Sequence, residues 1–259
     1  MIGTSEASLA APAMLTRSAS RFGSAYDRIY TALCGRHPTL RPWHFQWLAT
    51  KDLYADLRSN LGDLPGRTLD VGCGEKPYAK WLSSAAECFG IDVGAGPSVD
   101  MVITPGKPWP LETGSFDSVL CTQVMEHASD LANLLAEVNR VLAPGGTLVA
   151  SVPFAYNEHG IPDDYRRFSV YGVRALFESE FDIVLLKPEG GIGSTVGTLV
   201  LNWMDASMNQ SRVTRLAKGV LLPFWVVTSG VVNLLGWVFD KLDRTNAFYS
   251  NVFMVARKK

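Results

Sequence analysis

The chain is poor in charge, has no excess of basic residues and contains few cysteines. Asp, Glu, Lys and Arg make up 19% of its 259 residues, less than is usual in globular proteins. Its 24 basic and 25 acidic residues give a net charge of -1, so no nucleic-acid partner is expected. The four cysteines show no C-x-x-C spacing, which indicates reduced thiols in a cytosolic protein. No zinc or other metal site is predicted.

The start of the chain carries no targeting pattern. Residues 1–20 lack both the basic start and the continuous apolar run of a secretory signal. They are expected to be a loose tail, and residues 1–40 together a tail and lead-in to one domain at 41–259. Apolar residues recur at helical spacing over residues 43–61, and Gly62 and Pro65 follow them. This pattern predicts a helix that lies before the core.

Short apolar runs then alternate with helical stretches. Buried strands are predicted at residues 68–71, 88–92, 101–103, 118–121 and 147–152. Since runs of this length, apolar on both faces, are typical of parallel strands, the alternation predicts a doubly wound α/β sheet.

A glycine-rich turn follows the first of these strands. In the run LDVGCGE at 69–75, Gly72 and Gly74 allow a sharp turn and a ligand close to bare backbone. The dinucleotide fingerprint is not met, because Pro77 follows and the strand ends in the acid Asp70. Asp92 ends the next strand, where an acid can hydrogen-bond the hydroxyls of a ribose. The pattern therefore indicates a nucleoside ligand without phosphates.

Together with FDSVL at 116–120, Glu126-His127 and EVNRVLAPGG at 137–146, this turn resembles the class I S-adenosylmethionine-dependent methyltransferases. The resemblance spans residues 66–154 in the order that the family shows. It implies a seven-stranded sheet of order 3-2-1-4-5-7-6 with strand seven antiparallel. Apolar runs at 181–187 and 249–257 suit strands six and seven.

The resemblance also implies a cofactor, S-adenosyl-L-methionine, and residues that bind it. Gly72 and Gly74 are expected near its methionine part and Asp92 at its ribose. Asp70 ends the first strand, and Thr122 and Gln123 are expected to line the pocket after strand four. Thr104 stands where the family often places an acid that meets adenine, so that contact is not carried over.

A polar and aromatic segment, HGIPDDYRRFS at 159–169, follows strand five and resembles an H-x-x-P-x-D-Y-x-R-F-[ST] stretch. That stretch occurs in a subset of these enzymes, many of them associated with surface-polysaccharide pathways. Methyl transfer to a hydroxyl requires positioning and a base. His159 is the first candidate for the base and His127 the second, and each has a structural alternative as a capping or hydrogen-bonded histidine. Acceptor hydroxyls can be bound by Asp163, Tyr165 and Arg166, which can equally form a surface cluster of ion pairs.

The predicted strands six and seven are separated by an apolar helical insertion at residues 190–245. It contains 21 uncharged residues at 219–239, with Trp225 and Trp237 near the ends, and 15 more at 190–204. One membrane crossing is excluded, because strands six and seven share a sheet. An interfacial or re-entrant hairpin is favoured, and a lid or dimer interface is the alternative. The hairpin's headgroup contacts would be basic side chains: Arg212, Arg215, Lys218, Lys241 and Arg244.

These observations predict a cytoplasmic methyltransferase that is peripheral on the inner face of the cell membrane. Its acceptor is expected to be amphiphilic, with a hydroxyl of a lipid-linked or surface saccharide as the first expectation. Methylation of an isoprenoid quinone precursor or another lipid is the second. A protein of another class, a noncatalytic membrane-attached scaffold with the same fold, is the third.

Overall fold

The computed structural model describes residues 21–84 and 86–259, so the expected tail at 1–20 lies outside the described residues. Seven strands form one sheet of order 3-2-1-4-5-7-6, parallel except for the last strand in sequence. The prediction of an α/β sheet with this order is confirmed. The strands are β1 (Arg67–Val71), β2 (Glu87–Asp92), β3 (Met101–Val102), β4 (Phe116–Thr122), β5 (Leu142–Pro153), β6 (Phe181–Glu189) and β7 (Asn251–Lys258).

Strand register brings the predicted cofactor residues to one edge of the sheet. Val71 at the end of β1 lies opposite Ile91 of β2 and Cys121 of β4. The residues that follow these three positions include Gly72, Asp92 and Thr122. In a parallel sheet the carboxyl ends of neighbouring strands open on a common crevice, where ligands bind.

Helices cover both faces of the sheet, and a third group packs on one of these helices. They are α1 (Arg21–Cys34), α2 (Trp47–Leu61), α3 (Leu131–Val141), α4 (Val170–Phe177), α5 (Ile192–Met208), α6 (Arg212–Val220) and α7 (Leu222–Leu242). The predicted helix at 43–61 begins only at Trp47. Residues 41–47 instead form successive turns, in which the Gln46 amide donates to Nδ1 of His44 at 3.1 Å.

Two apolar clusters separated by the sheet make up the main core. Leu57 and Leu61 of α2 pack with Leu120, Val149 and Phe253 on one face. On the other face, Val138 of α3 and Phe177 of α4 pack with the strand residues Val119, Leu148 and Met254. Each central strand is therefore buried on both sides, as the continuous apolar runs in the sequence predict.

The insertion between β6 and β7 consists of α5, α6 and α7. Helices α5 and α7 approach closely, because a Cβ atom added to Gly193 would lie 2.0 Å from the carbonyl oxygen of Gly236. Near this crossing, Asp240 accepts a hydrogen bond from the Ser194 amide at 2.8 Å. Helix α1 packs on the insertion through Tyr30. Residues 1–40, expected to be a tail and lead-in, thus contain a helix that was not predicted from the sequence.

Two residues assigned to a membrane interface are engaged inside the protein instead. Trp225 is 2% exposed and packs against Phe45, with ring centroids 6.0 Å apart. Lys218 is buried and its ammonium lies 2.5 Å from Oδ1 of Asp205. Both residues lie on the side of the insertion that faces α1 and the rest of the domain, so these two expected contacts with lipid are wrong. Trp237 is 39% exposed, as an interfacial position requires.

Among the described residues, one helix is long and apolar enough to cross a membrane by length and composition. It is α7, and only 22% of its most apolar window is buried within the protein. Most of its large apolar residues point outward, whereas the residues it buries include Ser229, Asn233 and Gly236 beside Leu222 and Trp225.

Candidate active site

The glycine turn after β1 is held tightly against β2. Gly72 has φ +66° and Gly74 has φ +49°, backbone conformations that side chains disfavour. The Gly72 amide donates to the Ile91 carbonyl at 2.8 Å, and the Gly74 amide donates to Oδ2 of Asp92 at 3.0 Å. A Cβ atom at Gly72 would lie 2.5 Å from Cγ2 of Val124. The turn therefore requires glycine at Gly72 for both conformation and space.

Asp92 is a half-buried carboxylate at the end of β2. Its Oδ2 accepts from Gly74, and its Oδ1 accepts from the Gly94 amide at 3.2 Å. Because a carboxylate oxygen has two lone pairs, each oxygen retains an acceptor position for a ligand. Asp92 also lines a cavity at this edge of the sheet.

This cavity has a volume of about 500 Å³ and opens at the carboxyl ends of β1, β2 and β4. One wall combines the glycine turn with Asp92. Another is apolar, with Ile103, Trp109 and Leu134. The lining also includes Gln123, Val124, His127, Gly160 and Asp163. Of the predicted site residues, Gly72, Asp92, Gln123 and His127 therefore meet at one cavity.

Asp70 and Thr122 are buried and do not line the cavity. Asp70 is 3% exposed, and burial raises the pKa of its carboxyl group to about 7, an effect that Lys76 opposes and Asp92 reinforces. Thr122 ends β4. Any contact of these two side chains with a cofactor remains a prediction.

Gln123 adopts φ +55°, which is uncommon for a residue with a side chain. Its side-chain Nε2 donates to Oγ of Ser151 at 3.1 Å and to Oδ1 of Asn251 at 2.8 Å. Asn251 in turn donates to the buried carboxylate of Glu189. This network ties the bend after β4 to the ends of β5 and β7.

The segment after β5 folds back over the cavity and is held by an internal ion pair. Arg167 contacts both oxygens of Asp164 at 2.6 and 2.7 Å, and the His159 amide donates to Asp164 at 2.9 Å. The hydrogen bond from Arg167 is the main reason why the pKa of Asp164 falls to about 2. Arg166 instead donates to the carbonyls of Ala128 and Ser129. The segment is therefore fixed both internally and to the loop after β4.

His127 and His159 stand together, with ring centroids 4.7 Å apart and the rings nearly perpendicular. Nδ1 of His127 is hydrogen-bonded to the Asp163 carbonyl. Nδ1 of His159 lies 3.3 Å from the Asn157 carbonyl and 3.5 Å from Oδ2 of Asp164. Since a carbonyl oxygen only accepts, Nδ1 carries the proton in each neutral ring and Nε2 has the lone pair. Burial is the main factor that lowers the pKa of His159.

Glu126 lies against this pair and was not predicted as a site residue. It is fully buried, and Oε1 is 3.8 Å from Nε2 of His127. Burial is the main factor that raises its pKa to about 7. Neither carboxylate oxygen receives a hydrogen bond from another described residue. Its position directly after strand four, beside His127, is the sequence signal that could have indicated it.

The arrangement fits S-adenosylmethionine. The acceptor positions left on Asp92 suit two ribose hydroxyls, and the apolar wall suits a base. After β3, Ile103 and Pro105 line the cavity on either side of Thr104.

Comparisons with known proteins agree with this geometry. Residues 69–150 match a family model described as a methyltransferase domain. The ubiquinone biosynthesis O-methyltransferase of Hahella chejuensis is 36% identical over 115 residues, which cover 38% of this chain and 48% of that protein. The chloroplastic tocopherol O-methyltransferase of Arabidopsis thaliana is 32% identical over 100 residues, 32% of this chain and 29% of that protein. This chain therefore matches less than half the length of either relative.

The solved structure of the cyclase SpnF has the same fold, with a TM-score of 0.53, 18% identity and 82% coverage of both chains. The family match and the glycine turn together define the class of protein. Residues 69–150 form a methyltransferase domain of the S-adenosylmethionine-dependent kind, whose cofactor is S-adenosylmethionine.

Proposed function

We propose that this protein transfers a methyl group to a hydroxyl oxygen of an amphiphilic acceptor. The observation that carries the proposal is the histidine pair: His127 lines the cavity, His159 packs against it, and each ring has Nδ1 at a backbone carbonyl. A lone pair on Nε2 can accept a hydroxyl proton. The names of the two O-methyltransferase relatives support an oxygen acceptor.

The residues of this chain would have the following roles in the reaction. S-adenosylmethionine, when bound, supplies the methyl group on a sulfonium. Asp92 and the glycine turn hold its ribose and methionine parts. One imidazole would take the proton of the acceptor hydroxyl as its oxygen accepts the methyl group. Asp164 orients His159, the first candidate for the base, and His127 is the second.

Loss of the base should be visible in turnover. His159→Ala is expected to lower turnover about 10²- to 10⁴-fold if His159 takes the proton, with little change in cofactor affinity. The same substitution at His127 tests the second candidate. Glu158→Gln is the matched control, because Glu158 is exposed beside His159. Equal turnover of both histidine variants would remove the pair from the reaction.

The apolar insertion is joined to the segment that carries His159, and this contact supports an amphiphilic acceptor. Asn202 of α5 donates to Oδ1 of Asn157 at 2.7 Å, two residues before His159. An apolar acceptor tail on α5 would therefore lie near the segment that closes the cavity. A hydroxyl of a lipid-linked or surface saccharide is our first candidate acceptor. A phenolic isoprenoid quinone precursor is the second, favoured by the names of the ubiquinone and tocopherol relatives.

A single labelling experiment tests turnover and acceptor class. The protein is incubated with methyl-labelled cofactor and a membrane lipid extract, which is then separated into saccharide-bearing lipids and isoprenoid phenols. Label in one fraction identifies the class. Cofactor binding without label in any fraction, from an extract of the source cells, would favour the noncatalytic scaffold.

We further propose that the insertion rests on the cytoplasmic face of the cell membrane. Trp203, Phe224 and Leu242 are 70%, 73% and 68% exposed on α5 and α7. Large apolar side chains in water cost about 25 cal/mol per Å² relative to burial, so this surface favours an apolar phase. Arg212 and Arg215 are exposed on the neighbouring α6, where they can contact anionic headgroups.

Vesicle flotation tests this contact. The protein should float more with anionic than with neutral vesicles, and salt should weaken only the electrostatic part. A Trp203→Ser and Phe224→Ser double variant should float less. Tyr171→Ser is the control, because Tyr171 is 81% exposed on α4, outside the insertion. A protein that never floats, and that forms a dimer lost in the double variant, would support the dimer interface instead.

A further inference from the structure

Three side chains beside the cofactor cavity are arranged like the ligands of a metal ion. Each of Glu126, His127 and His159 offers one ligand atom, and these atoms all lie within 4.8 Å of one another. The two imidazoles come from loops 32 residues apart, brought together by the fold-back of the segment after β5. Cysteine spacing gave no indication of such a site, because none of its ligands is a cysteine.

The burial of Glu126 is a second indication of a metal site, beyond the proximity of the three side chains. Its carboxyl group is fully buried, yet neither oxygen accepts a hydrogen bond from another described residue. Buried polar atoms in folded proteins nearly always have a partner, and a bound ion is one recognised reason for an apparent exception. Oε1 faces Nε2 of His127 at 3.8 Å, so the unpartnered carboxyl group points toward the imidazoles.

The outer contacts of both histidines match those of metal-bound imidazoles. Such rings almost always donate the second nitrogen to a carbonyl or a carboxylate, which fixes the ring and leaves the other nitrogen for the metal. Here Nδ1 of His127 contacts the Asp163 carbonyl. Nδ1 of His159 lies 3.3 Å from the Asn157 carbonyl and 3.5 Å from the Asp164 carboxylate. These contacts leave Nε2 of each ring as the candidate ligand atom.

We propose that Glu126, His127 and His159 bind one divalent transition-metal ion of the zinc type. Two imidazoles and one carboxylate are a common ligand set for catalytic zinc, which keeps a fourth position open. Ligand atoms about 2.0–2.2 Å from such an ion lie roughly 3.3 Å apart in a tetrahedron. Side-chain rotations that shorten the longest separation by roughly 1.5 Å would complete the geometry.

This inference deepens the proposed function and rests on it in one respect. His127 lines the cavity, so an acceptor hydroxyl could occupy the open position of the ion. A bound divalent ion lowers the pKa of a coordinated hydroxyl group and favours loss of its proton to water. The two histidines would then be ligands, and the separate base of the metal-free scheme would not be needed.

Cobalt titration tests the site without any methyl acceptor. Chelator-treated full-length protein is titrated with Co²⁺, and visible absorption is followed. We expect one Co²⁺ per chain, displaced by Zn²⁺. Glu126→Gln should weaken binding about tenfold or more, since even the loss of an outer contact costs about 10- to 100-fold. Glu158→Gln, an exposed neighbour outside the group, should bind like the unchanged protein. His159→Asn replaces Glu126→Gln if circular dichroism shows that the latter does not fold.

The results separate this proposal from the proposed function. No stoichiometric Co²⁺ binding by the folded protein, or equal binding by the folded variant, would overturn the metal site. Methyl transfer that persists in chelator without metal binding would also overturn it and leave the function standing. Stoichiometric binding that depends on Glu126 supports the site even if no acceptor is methylated, in which case the proposed function fails alone.

Discussion

The most direct test of the cofactor site is removal of the charge on Asp92. In Asp92→Asn the side chain keeps its size, but one carboxylate oxygen becomes an amide nitrogen that can only donate. That nitrogen would face a backbone amide of Gly74 or Gly94, both of which donate to Asp92. The substitution therefore removes one acceptor and opposes the local geometry of the glycine turn.

The size of the effect follows from the acceptor positions that remain on Asp92. Each oxygen already accepts one backbone amide and has one further position for a ribose hydroxyl. A hydrogen bond to a charged group contributes about 1.5–3 kcal/mol. Since about 1.4 kcal/mol is a tenfold change, we expect the affinity for S-adenosylhomocysteine to fall about 10- to 150-fold.

Isothermal titration calorimetry with S-adenosylhomocysteine measures this loss, and Asp100→Asn is the matched control. Asp100 accepts from the Gly90 amide at 2.7 Å and pairs with Lys76, but it does not line the cavity. Its substitution should lower thermal stability and leave the affinity unchanged. An unaltered affinity in folded Asp92→Asn, or an equal loss in both variants, would refute the assignment of Asp92 to the ribose.

Two further predictions concern Asp70 and Gly72, at the carboxyl end of β1. Burial raises the pKa of Asp70 from 3.8 to about 7, so its contribution to stability is full below about pH 4 and is lost as pH rises to about 7. The Asp70→Asn variant has no carboxyl group to ionise at this position, so it does not lose stability in this way. Its free energy of unfolding relative to that of the unchanged protein should increase by about 2–4 kcal/mol between pH 4 and pH 7, as measured by denaturant unfolding. Equal pH profiles of the two proteins would contradict this. Gly72→Ala should lower stability by about 1–2 kcal/mol because of its positive φ. Adding Val124→Ala should restore part of that loss by removing the 2.5 Å contact, and no recovery would show that backbone strain alone is responsible.

The sheet could be predicted from sequence because its signals are local. Each central strand is a short apolar run, and the two glycines mark the turn after the first. Parallel pairing then places the ends of β1, β2 and β4 together without further information. For this reason the edge that holds Gly72 and Asp92 could be located before any coordinates were known.

The meeting of Glu126, His127 and His159 could not be predicted in the same way. It depends on how the segment after β5 folds back, and that path is set by side-chain contacts between Asp164 and Arg167 and by Arg166 at the Ala128 carbonyl. None of these contacts leaves a periodic pattern in the sequence. The charged residues of this segment were therefore open to interpretation as acceptor ligands or surface ion pairs.

Helix α7 shows a second limit of sequence reading, because its buried face is not its apolar face. Trp225 packs inward and Asn233 donates to the carbonyls of Pro42 and His44 at 2.7 and 2.8 Å, whereas Phe224 faces outward. A helix packed only against a protein core in water would show the reverse distribution. The amino-acid composition of the helix is the same whichever way these side chains point. Composition alone therefore could not distinguish a core helix from a helix with an apolar outer surface. The orientation does separate them, and flotation and oligomeric state distinguish the proposed lipid contact from a lid or a dimer interface.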